Sequence, residues 1–241
     1  MMPATSSLFS LYGSSLMEFL KQRYFMLGIK GTGMSSLAQL LHFFGSTVSG
    51  CDSAQWFSTQ QILDDAKIQY FETFDSACLD LASDIFIYSS AYGLDHPVAR
   101  AALDAKMQCF SYPQFIAELS KHQDSYAVAG THGKTTTCSV AAYLLKTASK
   151  QAFPFYALYG SHELGTRSMP AFGTDCALFE ACEYRDHFLL YSLRGVLVTC
   201  IDYDHPDYFR SLEHVQHSFE SLIDRLNRGG FLIYCADDKQ A

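Results

Sequence analysis

Residues 126–137 read Tyr-Ala-Val-Ala-Gly-Thr-His-Gly-Lys-Thr-Thr-Thr. A short apolar run passes into a glycine-bounded turn and then into a hydroxyl-rich helix start, the order in which a strand delivers a phosphate-binding loop to a helix N-terminus. This segment constrains the chain to an α/β architecture, because the loop works only where a strand ends beside unpaired helical N–H groups. Backbone N–H groups from Gly130 through Thr131, His132 and Gly133 to Lys134 are placed to converge on phosphate oxygens. Lys134 can neutralise the outer phosphates, Thr135 can hold Mg²⁺, and Thr136 extends the hydroxyl run. Only Thr131 and His132 separate the two glycines, where the common form sets four residues. A chance strand-turn-helix with an exposed lysine is the alternative.

Composition narrows what such a loop can serve. With 241 residues, 49% of them apolar, the chain can bury one large core or two medium ones, and disorder is not expected. A formal net charge of −8 argues against a general nucleic-acid or anionic-membrane binder. A phosphate-rich ligand must then be held by local N–H groups, lysine and metal. The eight cysteines form no C-x-x-C pair, which reads as reduced thiols and no zinc site. No apolar run is long enough to span a bilayer and the first twenty residues carry no Lys or Arg, so a soluble, cytoplasmic protein is expected.

From Arg23 onward strand-like runs alternate with amphipathic helical stretches, the pattern of a parallel α/β fold. Strands are expected near Tyr24–Ile29, Thr47–Cys51, Ile68–Phe71, Asp84–Ser89 and Gln108–Tyr112, with a helix over Ser35–Phe44. A linker around Lys121–Ser125 should follow. The phosphate-loop strand then opens a second unit with strands near Pro154–Tyr159, Cys176–Ala181, Val196–Ile201 and Gly230–Cys235 and a helix over Leu212–Leu226. The expected division is an N-terminal extension over 1–22, a Rossmann-like parallel-sheet domain over 23–121 and, over 122–241, the first half of an ATPase-type α/β domain. That second unit reads as unfinished, and a helix should come next.

A second glycine loop, Gly28-Ile-Lys-Gly-Thr-Gly-Met34, follows the first strand, where a Rossmann-type fold seats a pyrophosphate. Gly28, Lys30, Gly31, Thr32, Gly33 and Met34 are its candidate ligand residues. Its spacing is G-x-x-G-x-G and Asp52 closes the second strand, which leaves a nicotinamide or flavin dinucleotide and another nucleotide diphosphate both open, beside glycines that serve only close packing. Ser89 and Ser90 leave the fourth strand at its carboxyl end, to hold phosphate or to cap the next helix. In the second unit Glu180-Ala-Cys-Glu183 ends an apolar strand and Asp202-Tyr-Asp-His-Pro-Asp207 ends the next. Glu180 and His205 lie on the edge that carries the phosphate loop, a setting that suits metal ions facing a polyphosphate. His42, His96, His122, His162, His187, His214 and His217 lack that setting and read as surface or packing residues.

With these segments in this order the chain resembles the Mur ligases of peptidoglycan synthesis, most closely the members that join L-alanine to UDP-N-acetylmuramate. The matching segments are Gly28 to Met34, Ser49 to Asp52, Ser89 to Ala91, Ala129 to Thr137, Glu180 to Tyr184 and Asp204-His205. The resemblance implies that the first domain binds the UDP part of UDP-N-acetylmuramate through Gly28, Lys30, Gly31, Thr32, Gly33, Met34, Asp52, Ser89 and Ser90. It also implies that ATP and Mg²⁺ are used, with Lys134, Glu180 and His205 in catalysis and Thr135, Glu180 and His205 as metal ligands. The related tripeptide-recycling ligases usually carry Glu-Ala-Asp-Glu-Tyr-Asp at the acidic segment, and Cys182 and Arg185 fit the alanine-adding members better. Lys30 stands where the family usually has glycine and would add a cation near the diphosphate. Cys200 stands where asparagine commonly follows the threonine. Family members continue into an adenine segment and a third domain for the amino acid, so 241 residues by themselves should bind nucleotide-sugar without turning over.

Overall fold

The computed structural model describes residues 16–148, 154–160 and 170–240. Its contacts divide the chain into two compact units, the first reaching to Phe115 and the second beginning at Ile116.

In the first unit, β1 (Arg23–Leu27), β2 (Thr47–Cys51), β3 (Gln69–Phe71), β4 (Ile85–Tyr88) and β5 (Gln108–Ser111) form a sheet in the order β3-β2-β1-β4-β5. All its pairings are parallel. Tyr24, Phe25, Met26 and Leu27 are all buried, because a central parallel strand is covered on both faces and cannot alternate apolar with polar. The crossovers are α1 (Thr32–Phe43), α2 (Gln60–Asp65), α3 (Pro97–Asp104) and, between β3 and β4, only a 3-10 turn over Ser76–Cys78. Leu37, Leu40 and Leu41 of α1 face the core as their spacing predicts. His96 caps α3, its Nδ1 accepting from the Val98 N–H at 3.3 Å, and burial holds the imidazole below its ordinary pKa.

The extension expected over 1–22 needs correction within its described part. Residues 16–20 are helical, Leu16 and Leu20 are fully buried, and Phe19 stacks on Phe115 at 5.2 Å. Residues 1–15 and His162 lie outside the described residues. The expected linker is also shorter than Lys121–Ser125, since α4 (Tyr112–Ser120) runs almost directly into β6 (Asp124–Ala129). Ser125 is buried, its hydroxyl donating to the Ser120 carbonyl at 3.2 Å.

In the second unit β6, β7 (Phe155–Leu158), β8 (Cys176–Glu180), β9 (Gly195–Val198) and β10 (Phe231–Tyr234) form a sheet in the order β10-β9-β6-β8-β7. Its strand pairings are again parallel. The central strand β6 leads into α5 (Lys134–Ala148), and α6 (Leu212–Asp224) connects β9 to β10 with Val215, Phe219 and Leu222 buried. The carboxyl ends of β6, β8 and β9 therefore share one sheet edge, where open α/β sheets bind ligands.

Gly50 shows how closely the first sheet is packed. A Cβ there would lie 2.3 Å from the Met26 carbonyl oxygen and 2.9 Å from Ile29 Cδ1. Gly50→Ala is expected to lower the unfolding free energy by about 1–3 kcal/mol through overpacking, read as a lower urea midpoint at unchanged m-value; a midpoint equal to wild type would contradict it.

Candidate active site

The loop after β6 owes its shape to two glycines in the left-handed region, Gly130 at φ 132° and Gly133 at φ 77°. It is braced by the segment that follows β9. The Thr131 N–H donates to the Cys200 carbonyl at 2.9 Å, and its hydroxyl donates to the Asp202 carbonyl at 3.1 Å while accepting from the Asp202 N–H at 2.9 Å. Thr199 Oγ1 donates to the His132 carbonyl at 2.5 Å, with the Cys200 thiol 3.7 Å from the same oxygen. β9 ends at Val198, short of the expected Ile201: Thr199 and Cys200 turn to the loop, and the Ile201 N–H donates to Asp238 Oδ2 at 3.0 Å. Thr131, expected to offer its N–H to phosphate, has both N–H and hydroxyl engaged inside the protein and acts as a brace. His132, Gly133 and Thr136 are exposed at the loop and at the first turn of α5.

Two charged clusters meet the loop. In one, Thr135 Oγ1 donates to Glu180 Oε1 at 2.8 Å, and the Gly160 N–H donates to Glu180 Oε2 at 2.7 Å. In the other, Lys134 Nζ donates to Gly130 O at 2.6 Å, to Thr131 O at 3.0 Å and to Glu183 Oε2 at 2.9 Å. Glu183 is 1% exposed, and its second oxygen has no hydrogen-bond partner, with His205 Nε2 3.6 Å away. The structure thus leaves the expected Glu180 to Thr135 and pairs His205 with Glu183. Its signal was present, since Glu183 lies in the same acidic segment, but nothing in a linear pattern says which of two carboxylates is buried.

The backbone around Glu183 is strained. Arg185 and Asp186 both adopt left-handed conformations inside the 3-10 segment Tyr184–Leu190, at φ 55° and 57°, and His205 does so at φ 51°. Each such residue costs about 1–2 kcal/mol. Asp186 is held by the Tyr208 hydroxyl and the Ser218 hydroxyl, while the His205 N–H donates to Asp204 Oδ1 at 2.7 Å. The Tyr184 ring lies 4.8 Å from the His205 ring, and its hydroxyl donates to Asp207 Oδ2 at 2.5 Å, which holds the Asp207 carboxyl below its usual pKa. Behind Glu180, burial and then the neighbouring carboxylate push the Cys138 thiol well up.

The hydroxyl of Thr135 beside the Glu180 carboxylate is a hard oxygen donor pair that fits Mg²⁺. Among the described residues no three His, Cys, Asp or Glu gather into a site that protein ligands alone would complete.

In the first unit the glycine loop and the Ser89 turn flank the point where the strand order reverses, between β1 and β4. Gly28 has φ 81°, and a Cβ there would lie 2.8 Å from Ser89 Cβ, so only glycine admits this approach. No side chain caps the start of α1 at Gly31, and Thr32 is exposed. Gly33 packs under Tyr112, Met34 is buried, Ser90 is exposed and Ser89 Oγ accepts from the Ala91 N–H at 3.3 Å.

Two residues depart from their expected roles. Lys30 is fully buried and donates to Ser53 O at 3.0 Å, Gln55 O at 3.2 Å and Glu72 Oε1 at 2.6 Å. With no part of the side chain open to solvent and its three donors turned inward, the residue expected to add a cation at the diphosphate is instead a clamp on residues 53–55. The Asp52 carboxylate accepts from the Lys30 N–H at 2.8 Å and the Ser53 N–H at 2.7 Å, which ties the glycine loop to the end of β2.

Gly130→Ala would set a methyl group 2.0 Å from Thr199 Oγ1 at a φ that alanine avoids. Amide hydrogen exchange is expected to accelerate over residues 130–134 and 199–202 and to stay unchanged in the first sheet; uniform protection across both would contradict the bracing described above.

Comparison with known proteins fits this geometry. The sequence matches the Mur ligase family, catalytic domain, over residues 23–124 and the Mur ligase middle domain over residues 128–241. Similar curated proteins include the UDP-N-acetylmuramate–L-alanine ligases of Borrelia garinii, 36% identical over 89% of this chain, and Desulfitobacterium hafniense, 37% identical over 89%. The chain spans about half the length of these relatives, 47% in each case. Among solved structures, the UDP-N-acetylmuramate:L-alanyl-γ-D-glutamyl-meso-diaminopimelate ligase from Neisseria meningitidis superimposes with a TM-score of 0.77 at 27% identity, over 91% of this chain and 73% of that one. The UDP-N-acetylmuramate–alanine ligase of Thermotoga maritima shares the fold with a TM-score of 0.79 at 21% identity, over 91% of this chain and 50% of that one. By the two domain matches and the loops that carry them, this chain belongs to the Mur ligase family.

Proposed function

We propose that this chain carries the nucleotide-sugar and ATP sites of an ATP-dependent ligase that joins L-alanine to UDP-N-acetylmuramate in peptidoglycan synthesis. The observation that carries the reading is the placement of Lys134 and of the Thr135–Glu180 pair, hydrogen bonded at 2.8 Å, at the mouth of one phosphate loop. The relatives named above supply the substrates. In the reaction the muramic carboxylate attacks the γ-phosphorus of ATP, the bond to the bridging oxygen breaks, and an acyl phosphate and ADP result. The amine of L-alanine then attacks the acyl carbon, phosphate leaves with the bonding electrons, and the amine loses a proton. Little covalent work falls to the protein, so positioning and charge stabilisation dominate.

Gly130, Gly133, Lys134, Thr135 and Thr136 enclose the triphosphate, with Lys134 drawing negative charge off the transferring group. Thr135 and Glu180 would hold Mg²⁺, which when bound would neutralise phosphate charge and polarise the group being transferred. His205 faces the same edge from the segment after β9. The first unit holds the UDP diphosphate at Gly28, Gly31, Thr32 and Gly33, with Ser89 and Ser90 beside them. The setting is cytoplasmic, where ATP and the nucleotide sugar are made, and among the described residues no helix is long and apolar enough to cross a membrane.

The second reading is the tripeptide-adding ligase, favoured by the superposition on the Neisseria meningitidis protein. The two differ in the amine substrate, so a phosphate-release assay on the native protein with L-alanine or with the tripeptide separates them. Lys134→Ala and Glu180→Ala are expected to weaken Mg·ATP binding at least tenfold, about 1.4 kcal/mol or more, while calorimetric binding of UDP-N-acetylmuramate stays within twofold. Wild-type ATP affinity in either variant would remove that residue from the assigned site.

A further inference from the structure

We propose that Glu183 is a positioning residue that competes with the phosphates of an incoming nucleotide for Lys134, a carboxylate gate within the phosphate site. The inference rests on the reading of the loop after β6 as a nucleotide site and adds a residue that the reading leaves without a role.

An ammonium group has three donors, and all three of Lys134 are taken, by the carbonyls of Gly130 and Thr131 and by Glu183 Oε2 at 2.9 Å. The two carbonyls belong to the loop that carries Lys134 and move with it. Glu183 comes from a different element, at the head of the 3-10 segment after β8, and alone among the three partners it bears a charge. A phosphate oxygen that reaches Lys134 must displace one of these bonds, and whichever it displaces it meets a buried anion sharing the same cation. The Lys134 and Glu183 side chains are 13% and 2% exposed, so solvent screens that repulsion poorly.

The second oxygen of Glu183 gives the carboxylate somewhere to turn. It is buried without a hydrogen-bond partner, and His205 Nε2 stands 3.6 Å away, just beyond bonding distance. A buried carboxylate oxygen with no donor is costly, and a small rotation that closes the gap to His205 satisfies it as Lys134 is drawn toward phosphate. Tyr184 packed on the imidazole at 4.8 Å and the left-handed backbone at His205 fix the ring for that contact. Glu183 thus holds Lys134 in register without ligand and changes partner when phosphate arrives, at the expense of nucleotide affinity.

The sign of this effect separates a gate from a merely structural acid, because removing a purely structural carboxylate weakens binding. ADP without Mg²⁺ is the probe, titrated calorimetrically into wild type, Glu183→Gln, Glu183→Asp and, as a control for loss of any nearby charge, Asp207→Asn. Glu183→Gln keeps an oxygen that accepts from Lys134 and removes the charge, so it should bind ADP about three- to tenfold more tightly. Glu183→Asp keeps the charge and should show no gain, and Asp207→Asn should stay within twofold of wild type. In wild type the imidazole resonances of His205 should shift on ADP binding, and in Glu183→Gln that shift should be lost. No ADP binding by the wild type would overturn the nucleotide reading and the gate with it. Wild-type binding with Glu183→Gln unchanged or weaker would overturn the gate alone, as would an equal gain in Asp207→Asn; circular dichroism establishes that each variant is folded.

Discussion

The second unit depends on the bracing of one loop by its neighbour. The phosphate loop contains almost no structure of its own, since Gly130 and Gly133 adopt backbone angles chosen for their lack of a side chain. Its shape comes from Thr131, Thr199 and the Asp202 backbone, which stitch the end of β6 to the end of β9. The same register fixes the chemistry. Because β6 lies between β8 and β9, the acid at the end of β8 and the imidazole after β9 arrive on either side of the lysine. Sheet order does here what a cage of ligands does in a metalloprotein.

The strands of both sheets were legible in the sequence because parallel strands buried on both faces write themselves as continuous apolar runs, as Tyr24 to Leu27 and Cys176 to Phe179 do. The phosphate loop was legible because its glycines, lysine and threonine must be adjacent in sequence to work. What escaped was pairing at a distance. That Lys30 would turn inward to Glu72 and the carbonyls of Ser53 and Gln55, or that Thr131 would face Asp202, depends on where a later segment passes, and neither spacing nor residue type encodes that. That Glu183 would lie buried between Lys134 and His205, beside the expected Glu180, escaped for the same reason. The chain turns sharply after Ala181, through two consecutive left-handed residues at Arg185 and Asp186, and no periodicity predicts such a turn.

The two lysines make an instructive pair. Each follows a glycine turn at the carboxyl end of a central strand, each meets a carboxylate from a distant segment, and each uses its full set of donors. Lys30 is fully buried and its partner Glu72 half-exposed, an arrangement that fixes a loop. Lys134 keeps a small part of its side chain open to solvent and its partner Glu183 is buried, which leaves the cation accessible to a ligand. Burial of the cation or of the anion decides whether the same contact is scaffold or site.

The parallel pairing of the second sheet also sets an order of events during synthesis. Asp124 pairs with Cys176, and Ala129 with Val198, so the strand that leads into the phosphate loop has no partner on either side until much later residues have been made. The first sheet closes with β5 at Ser111 and can be complete before any of those partners exists. Domains emerging from the ribosome fold as units from the N-terminus, and non-local parallel pairing is slow. The glycine loop of the first unit is therefore a product of early, self-contained folding, whereas β6, with its apolar core positions Ala127, Val128 and Ala129, waits as an unpaired strand until β8 and β9 have been made.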